Sequence, residues 1–150
     1  DGQLTDGEGV EKHIAAHRGK VVVVDLWSTG CIPCRREFPN LVKLQRELGD
    51  KVACISVSTD YDGIPSKPAE TYREQVLEFL KSQQATFQNV LSTVAAEDLF
   101  NQLNIGSIPS VFVYDQSGQL VERFTEPVDG EEFTYEGQIR PFVEKLVAAE

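Results

Sequence analysis

The segment Val21-Val22-Val23-Val24-Asp25-Leu26-Trp27 is apolar at every position but one. A strand with one face in water alternates apolar and polar side chains, whereas a run without alternation has both faces covered. The segment therefore predicts a central strand with a layer packed on each side, and Asp25 is its one charged position. Few arrangements other than an α/β fold supply such covering.

The rest of the chain fits that expectation, because strand-like and helix-like segments alternate. Glu8 to Arg18 reads as a short helix, and Gly19-Lys20 breaks it before the Val21 strand. Pro33 to Leu48 carries Phe38, Leu41, Val42, Leu44 and Leu48 at helical spacing, with Gly49 as the stop. Val52 to Val57 predicts a second buried strand, and Asp60 to Pro68, with two prolines and a glycine, a loop. Ala69 to Ser82 reads as a helix, Phe87 to Leu91 as a short strand and Ala95 to Leu103 as a short helix. Ser110 to Tyr114 and Leu120 to Phe124 flank Asp115-Gln116-Ser117-Gly118-Gln119, a hairpin signal in which Gly118 is free to take positive φ. Glu131 to Ala148 closes the chain with a helical apolar stripe that includes Ile139, Phe142, Val143, Leu146 and Val147. There is no linker-like stretch and no repeat, so the 150 residues predict a single domain.

Composition excludes several function classes. The formal net charge of −10 repels phosphate backbones and anionic lipid, which argues against nucleic acid as a partner. Unbroken apolar runs reach only four residues, against the roughly twenty of a membrane-spanning helix. The opening Asp1-Gly2-Gln3 shows no basic, apolar or cleavage-site pattern. The three cysteines, Cys31, Cys34 and Cys54, are too few for a disulfide scaffold and leave one unpaired.

Cys31-Ile32-Pro33-Cys34 sits where a buried strand ends and an amphipathic helix begins. Unpaired N–H groups and the positive end of the helix dipole favour a thiolate there, so the Cys31 thiol is expected to be unusually acidic. The spacing brings Cys34 about one turn along, within disulfide reach, and Pro33 suits a first helical turn, where no N–H is needed. A purely structural disulfide closes too short a loop to constrain the unfolded chain much. A zinc site needs two more ligands; His13 and His17, four apart on the first helix, are the candidates with Cys31 and Cys34, but the order fits no familiar zinc spacing. A dithiol redox site is the reading that the motif favours.

Asp25-Leu26-Trp27 leading into Cys31-Ile32-Pro33-Cys34-Arg35 resembles the active-site region of thioredoxins. Cys34-Arg35-Arg36-Glu37-Phe38-Pro39 is similar to the TlpA/ResA-like branch of thioredoxin-fold thiol-disulfide oxidoreductases, and Asn104-Ile105-Gly106-Ser107-Ile108-Pro109-Ser110 to Asp115 resembles the family's second signature. The resemblance covers about residues 20–126. It implies a three-layer α/β fold, a mixed central sheet flanked by helices, with an N-terminal helix and an inserted helix and short strand. The core then runs over about 20–148 and the insertion over about 60–92.

The same resemblance implies roles. Cys31 is the nucleophile and Cys34 the resolving thiol. Pro109 is the cis-proline facing the dithiol, leaving the Ile108 backbone to pair with a bound peptide. Gly30, Ile32 and Pro33 complete the partner-facing surface. Asp25 is the buried carboxylate behind the disulfide, whose burial raises its pKa and lets it relay a proton to and from Cys34. Glu37 is a second candidate for that relay. Trp27 and Pro39 are structural neighbours, Pro39 kinking the helix. Cys54, mid-strand, reads as an inert buried thiol. Gly30 departs from the pattern, which places Trp before the first cysteine, and Ile32-Pro33 carries no His or Lys, so the couple is expected to be on the reducing side.

The implied activity is reduction of protein disulfides by an extracytoplasmic or periplasmic monomer, without metal or other cofactor and recharged by an upstream electron donor. A thiol peroxidase is the alternative enzyme, although Ser28 stands where such enzymes place Thr and Thr29 lies one residue later. A non-catalytic domain or a Cu(I) metallochaperone is the alternative from another class, and the absence of Met argues against the latter.

Overall fold

The structure is a computed structural model that describes residues 3–125 and 132–149. Six strands, β1 (Gln3–Gly7), β2 (Val21–Trp27), β3 (Val52–Ser58), β4 (Gln88–Ser92), β5 (Ser110–Tyr114) and β6 (Leu120–Phe124), form one sheet in the order β1-β4-β3-β2-β5-β6. β1, β4, β3 and β2 run parallel, while β5 is antiparallel to β2 and β6 antiparallel to β5. The mixed α/β architecture agrees with the expected one.

The apolar run of β2 is buried at all seven positions. Strand geometry sends successive side chains to opposite faces. Val21, Val23 and Trp27 accordingly join one core layer, and Val22, Val24 and Leu26 the other. On the first face lie α2 (Ile32–Leu48), α3 (Arg73–Ser82) and α5 (Arg140–Ala148), contributing Phe38, Leu41, Leu44, Val76, Leu80 and Val143. On the second lie α1 (Glu11–Ala16) and α4 (Ala96–Leu103), contributing Ile14 and Leu99. Asp25 falls between Val23 and Trp27 and so shares the α2 side of the sheet.

The strands at 21–27, 110–114 and 120–124 match the expected segments, and Gly118 takes φ 89° in the hairpin turn. Three differences are informative. β1 was not anticipated: only Leu4 is buried among its exposed and half-exposed residues 4–7, and the strand exists through its pairing with β4. The helix expected from Ala69 opens as a 3-10 turn, Ala69–Tyr72, before α3. The closing segment is a π-helical turn, Tyr135–Ile139, followed by α5. Its anticipated start at Glu131 lies outside the described residues. α2 is one continuous helix through Pro39, whose missing N–H leaves the Arg35 carbonyl without its helical donor.

Candidate active site

β2 delivers the chain to the start of α2, where Cys31 occupies the N-cap position with extended backbone (φ −95°, ψ 106°). Its sulfur accepts a hydrogen bond from the Cys34 N–H at 3.3 Å, and its carbonyl accepts the first helical bond, from Arg35 N–H at 3.0 Å. Cys31 and Cys34 are joined as a disulfide with Cα atoms 5.2 Å apart. The two sulfurs are unequal. Cys31 is half-buried, whereas Cys34 is only 3 % exposed. A partner molecule thus meets Cys31 first.

The rim around Cys31 is open. Ile32 is 74 % exposed, unusual for a large apolar side chain. A Cβ added at Gly30 would meet nothing within 4 Å, so packing does not force glycine there. The opposing wall is the segment before β5. The Ile108–Pro109 peptide is cis, and the Ile108 carbonyl oxygen lies 3.8 Å from Cys31 Sγ. Arg123 fixes the approach to this segment, donating to the Leu103 and Asn104 carbonyls at 2.7 and 2.9 Å while its guanidinium stacks 5.0 Å from the Phe112 ring centroid.

Two carboxylates stand behind this rim in different settings. Asp25, 3 % exposed, accepts a hydrogen bond from the Tyr135 hydroxyl. Burial pushes its carboxyl up to about 7, with the Tyr135 hydrogen bond pulling against that rise and the negative charge of Glu37 adding to it. Glu37 is half-buried, and its Oε1 accepts the backbone N–H of Tyr135 at 2.9 Å. Cys54 on β3 is buried, and burial, then the charge of Asp25, pushes its thiol well above the usual range. That is the environment of an inert thiol.

Trp27 packs against Phe38 and Phe79, each with ring centroids 5.0 Å away. The zinc tetrad does not form: Cys31 and Cys34 are bonded to each other, and His13 and His17 lie before β2 while the cysteines follow its far end. Seven residues of strand, about 23 Å, lie between the two pairs.

Two contributors escaped the sequence reading. Tyr135 sits inside an apolar helical stripe, and no local pattern announces a partner 110 residues away. Asp60, 8 % exposed at the end of β3, accepts from the N–H of Thr29 at 3.1 Å and from the Thr29 hydroxyl, from Ser58 Oγ at 2.5 Å, and from Gln75 Nε2 at 3.2 Å. The Thr29 hydroxyl is therefore committed to Asp60, not to the sulfur at Cys31.

Comparisons with known proteins agree with this architecture. The chain is 29 % identical over 120 residues to the thioredoxin-like protein YneN of Bacillus subtilis (strain 168), spanning 80 % of this chain and 65 % of that one. It is 28 % identical over 125 residues to the thiol-disulfide oxidoreductase ResA of Geobacillus kaustophilus (strain HTA426), spanning 81 % of this chain and 64 % of that one. The chain thus spans just under two thirds of the length of these relatives. In structure it is similar to a thiol:disulfide interchange protein of the thioredoxin family from Chlorobium tepidum TLS, with TM-score 0.68 at 20 % identity, covering 89 % of this chain and 83 % of that one. The fold is thioredoxin-like. A family model described as Redoxin matches residues 1–139, and the chain belongs to the Redoxin family.

Proposed function

We propose that the protein is a thiol-disulfide oxidoreductase that reduces protein disulfides through Cys31 and Cys34. The observation that carries this reading is the placement of Cys31 as the N-cap of α2, with its sulfur 3.8 Å from the Ile108 carbonyl at the open rim and the more buried Cys34 bonded to it. Similarity to relatives named thiol-disulfide oxidoreductases supports it.

In the reduced protein, the Cys31 thiolate attacks one sulfur of a substrate disulfide lying along Ile108-Pro109, with Gly30, Ile32 and Pro33 forming the rest of the docking rim. A Cys31–substrate disulfide forms and the other substrate sulfur leaves as a thiolate. The Cys34 thiol then passes its proton to the Asp25 carboxylate and attacks Cys31 Sγ. The mixed disulfide breaks, the Cys31–Cys34 bond forms, and the second substrate sulfur leaves to be protonated. The substrate gains two electrons and the dithiol loses them. An upstream dithiol donor restores Cys31 and Cys34 by the same exchange in reverse. The redox-active pair serves in place of any added cofactor.

The chain is read as one thioredoxin-like domain, with a core of about 20–148 and the 60–92 segment inserted. It acts as a monomer outside the cytoplasm. Among the described residues no helix is long and apolar enough to cross a membrane.

The test is reduction of insulin disulfides by the protein with dithiothreitol as donor. Cys31→Ser is expected to abolish it, and Cys34→Ser to accumulate a mixed disulfide at Cys31. Full turnover by Cys31→Ser overturns the assignment.

A further inference from the structure

We propose that Tyr135 is a positioning residue for the proton transfer, its hydroxyl holding the Asp25 carboxylate in place on the α2 side of the sheet, and that Glu37 acts on the same step by anchoring Tyr135. The proposal rests on the dithiol reading above and assigns the parts within it.

The geometry is a relay of two hydrogen bonds through one residue. The Tyr135 hydroxyl donates to Asp25 Oδ2, and the Tyr135 backbone N–H donates to Glu37 Oε1 at 2.9 Å. Tyr135 is 1 % exposed, so its hydroxyl bond to Asp25 is shielded from bulk water, while its amide bond to half-buried Glu37 is only partly covered. The turn that carries it is fixed independently. Thr134 Oγ1 accepts from Gly137 N–H at 2.9 Å, Gln138 Oε1 accepts from Thr134 N–H at 2.7 Å, and Ile139 is fully buried below. Glu37 meets Tyr135 through its backbone amide. With its Oε1 taking that amide, Glu37 anchors the turn that carries Tyr135.

The surroundings of Asp25 show why a donor is needed. From β3 it faces Cys54, from α2 the negative Glu37, and from the π-helical turn Tyr135; no cation is among the groups that influence it. In β5 its register partner is the apolar Val111. Cys34, reduced in the working enzyme, shares this core layer. Burial and a neighbouring carboxylate both favour the neutral acid. Among the described residues the Tyr135 hydroxyl supplies the one hydrogen bond to the Asp25 side chain. A hydrogen bond to the charged form opposes both influences and keeps the base available near neutrality.

The experiment uses the full, reduced chain and a chromogenic aromatic disulfide. Attack by Cys31 releases one aromatic thiolate in a first phase, and attack by Cys34 on the mixed disulfide releases the second. The second phase is followed against pH, and the Asp25 carboxyl is titrated separately by carbon NMR in the oxidised protein. Tyr135→Phe keeps the ring and removes only the hydroxyl. It is expected to move both midpoints up by roughly one pH unit. Glu37→Gln keeps an oxygen for the Tyr135 amide but removes the nearby negative charge, so both midpoints move down. Unchanged midpoints in Tyr135→Phe overturn its role, and loss of the second phase in Glu37→Gln makes Glu37 the proton carrier and overturns the anchor. A native chain with no second phase overturns the dithiol reading itself. The NMR titration separates that result from a failure of Tyr135 alone.

Discussion

Asp60 grips Thr29, two residues before half-buried Cys31, by the backbone N–H and the hydroxyl together. The grip joins the end of β3 to the loop that launches α2, and Gln75 on α3 binds both partners. The loop leading to Cys31 is thus held by a buried carboxylate in addition to its one local turn, in which the Cys31 N–H donates to the Ser28 carbonyl at 3.2 Å.

Asp60→Ala leaves the Thr29 and Ser58 donors without their acceptor in a largely buried place. Orphaned donors of this kind cost about 1–3 kcal/mol each when no water reaches them. The variant is expected to lose about 3 kcal/mol in urea unfolding, and the Thr29 amide to exchange with deuterium at least roughly tenfold faster. Native-like protection of that amide in the variant contradicts the grip.

Asp25 makes stability depend on pH in the opposite sense from a salt-bridged carboxylate. Its ordinary value of 3.8 applies to the unfolded chain and about 7 to the folded one. The folded state therefore holds a proton that the unfolded state has released, and stability falls as pH rises between those values, levelling off above the upper one. Over that window the loss is about 4 kcal/mol at 1.36 kcal/mol per unit. Asp25→Asn keeps an oxygen for Tyr135 and removes the titration. Its stability advantage over the native chain is expected to grow from pH 4 to pH 8. Parallel stability curves for the two proteins would show that the carboxyl does not titrate in this window.

Cys54 is expected to stay silent. Its burial and the nearby carboxylate both disfavour the thiolate. Thiol titration of the reduced native protein should count the active pair alone, with Cys54 appearing only in denaturant. A third thiol reacting at a comparable rate in the folded protein removes the inert assignment.

The parts legible in the sequence are those whose signal is local and dense. β2 declares itself through seven consecutive residues, and the hairpin through the segments Ser110 to Tyr114 and Leu120 to Phe124 around one glycine. The Cys31 to Pro39 stretch carries its spacing within one helix start. β1 escaped because Gln3-Leu4-Thr5-Asp6-Gly7 has no strand pattern of its own and is made a strand by the exposed edge of β4. Tyr135 and Asp60 escaped for a related reason. A tyrosine in an apolar stripe and an aspartate at the head of a loop are unremarkable until the fold brings Asp25 and Thr29 against them. Glu37 was visible as an acidic residue one turn past Cys34, but its engagement with the Tyr135 amide was not, because that contact joins segments 98 residues apart.

β2 and β5 are hydrogen-bonded neighbours, with Leu26 paired to Ser110 at the end of the ladder. Cys31 hangs just past one of these strands and Ile108-Pro109 just before the other. The span between sulfur and carbonyl therefore links the β2–β5 ladder to the cap of α2. Whatever shifts α2, or loosens the hold of Asp60 on Thr29, moves that sulfur relative to the Ile108 carbonyl.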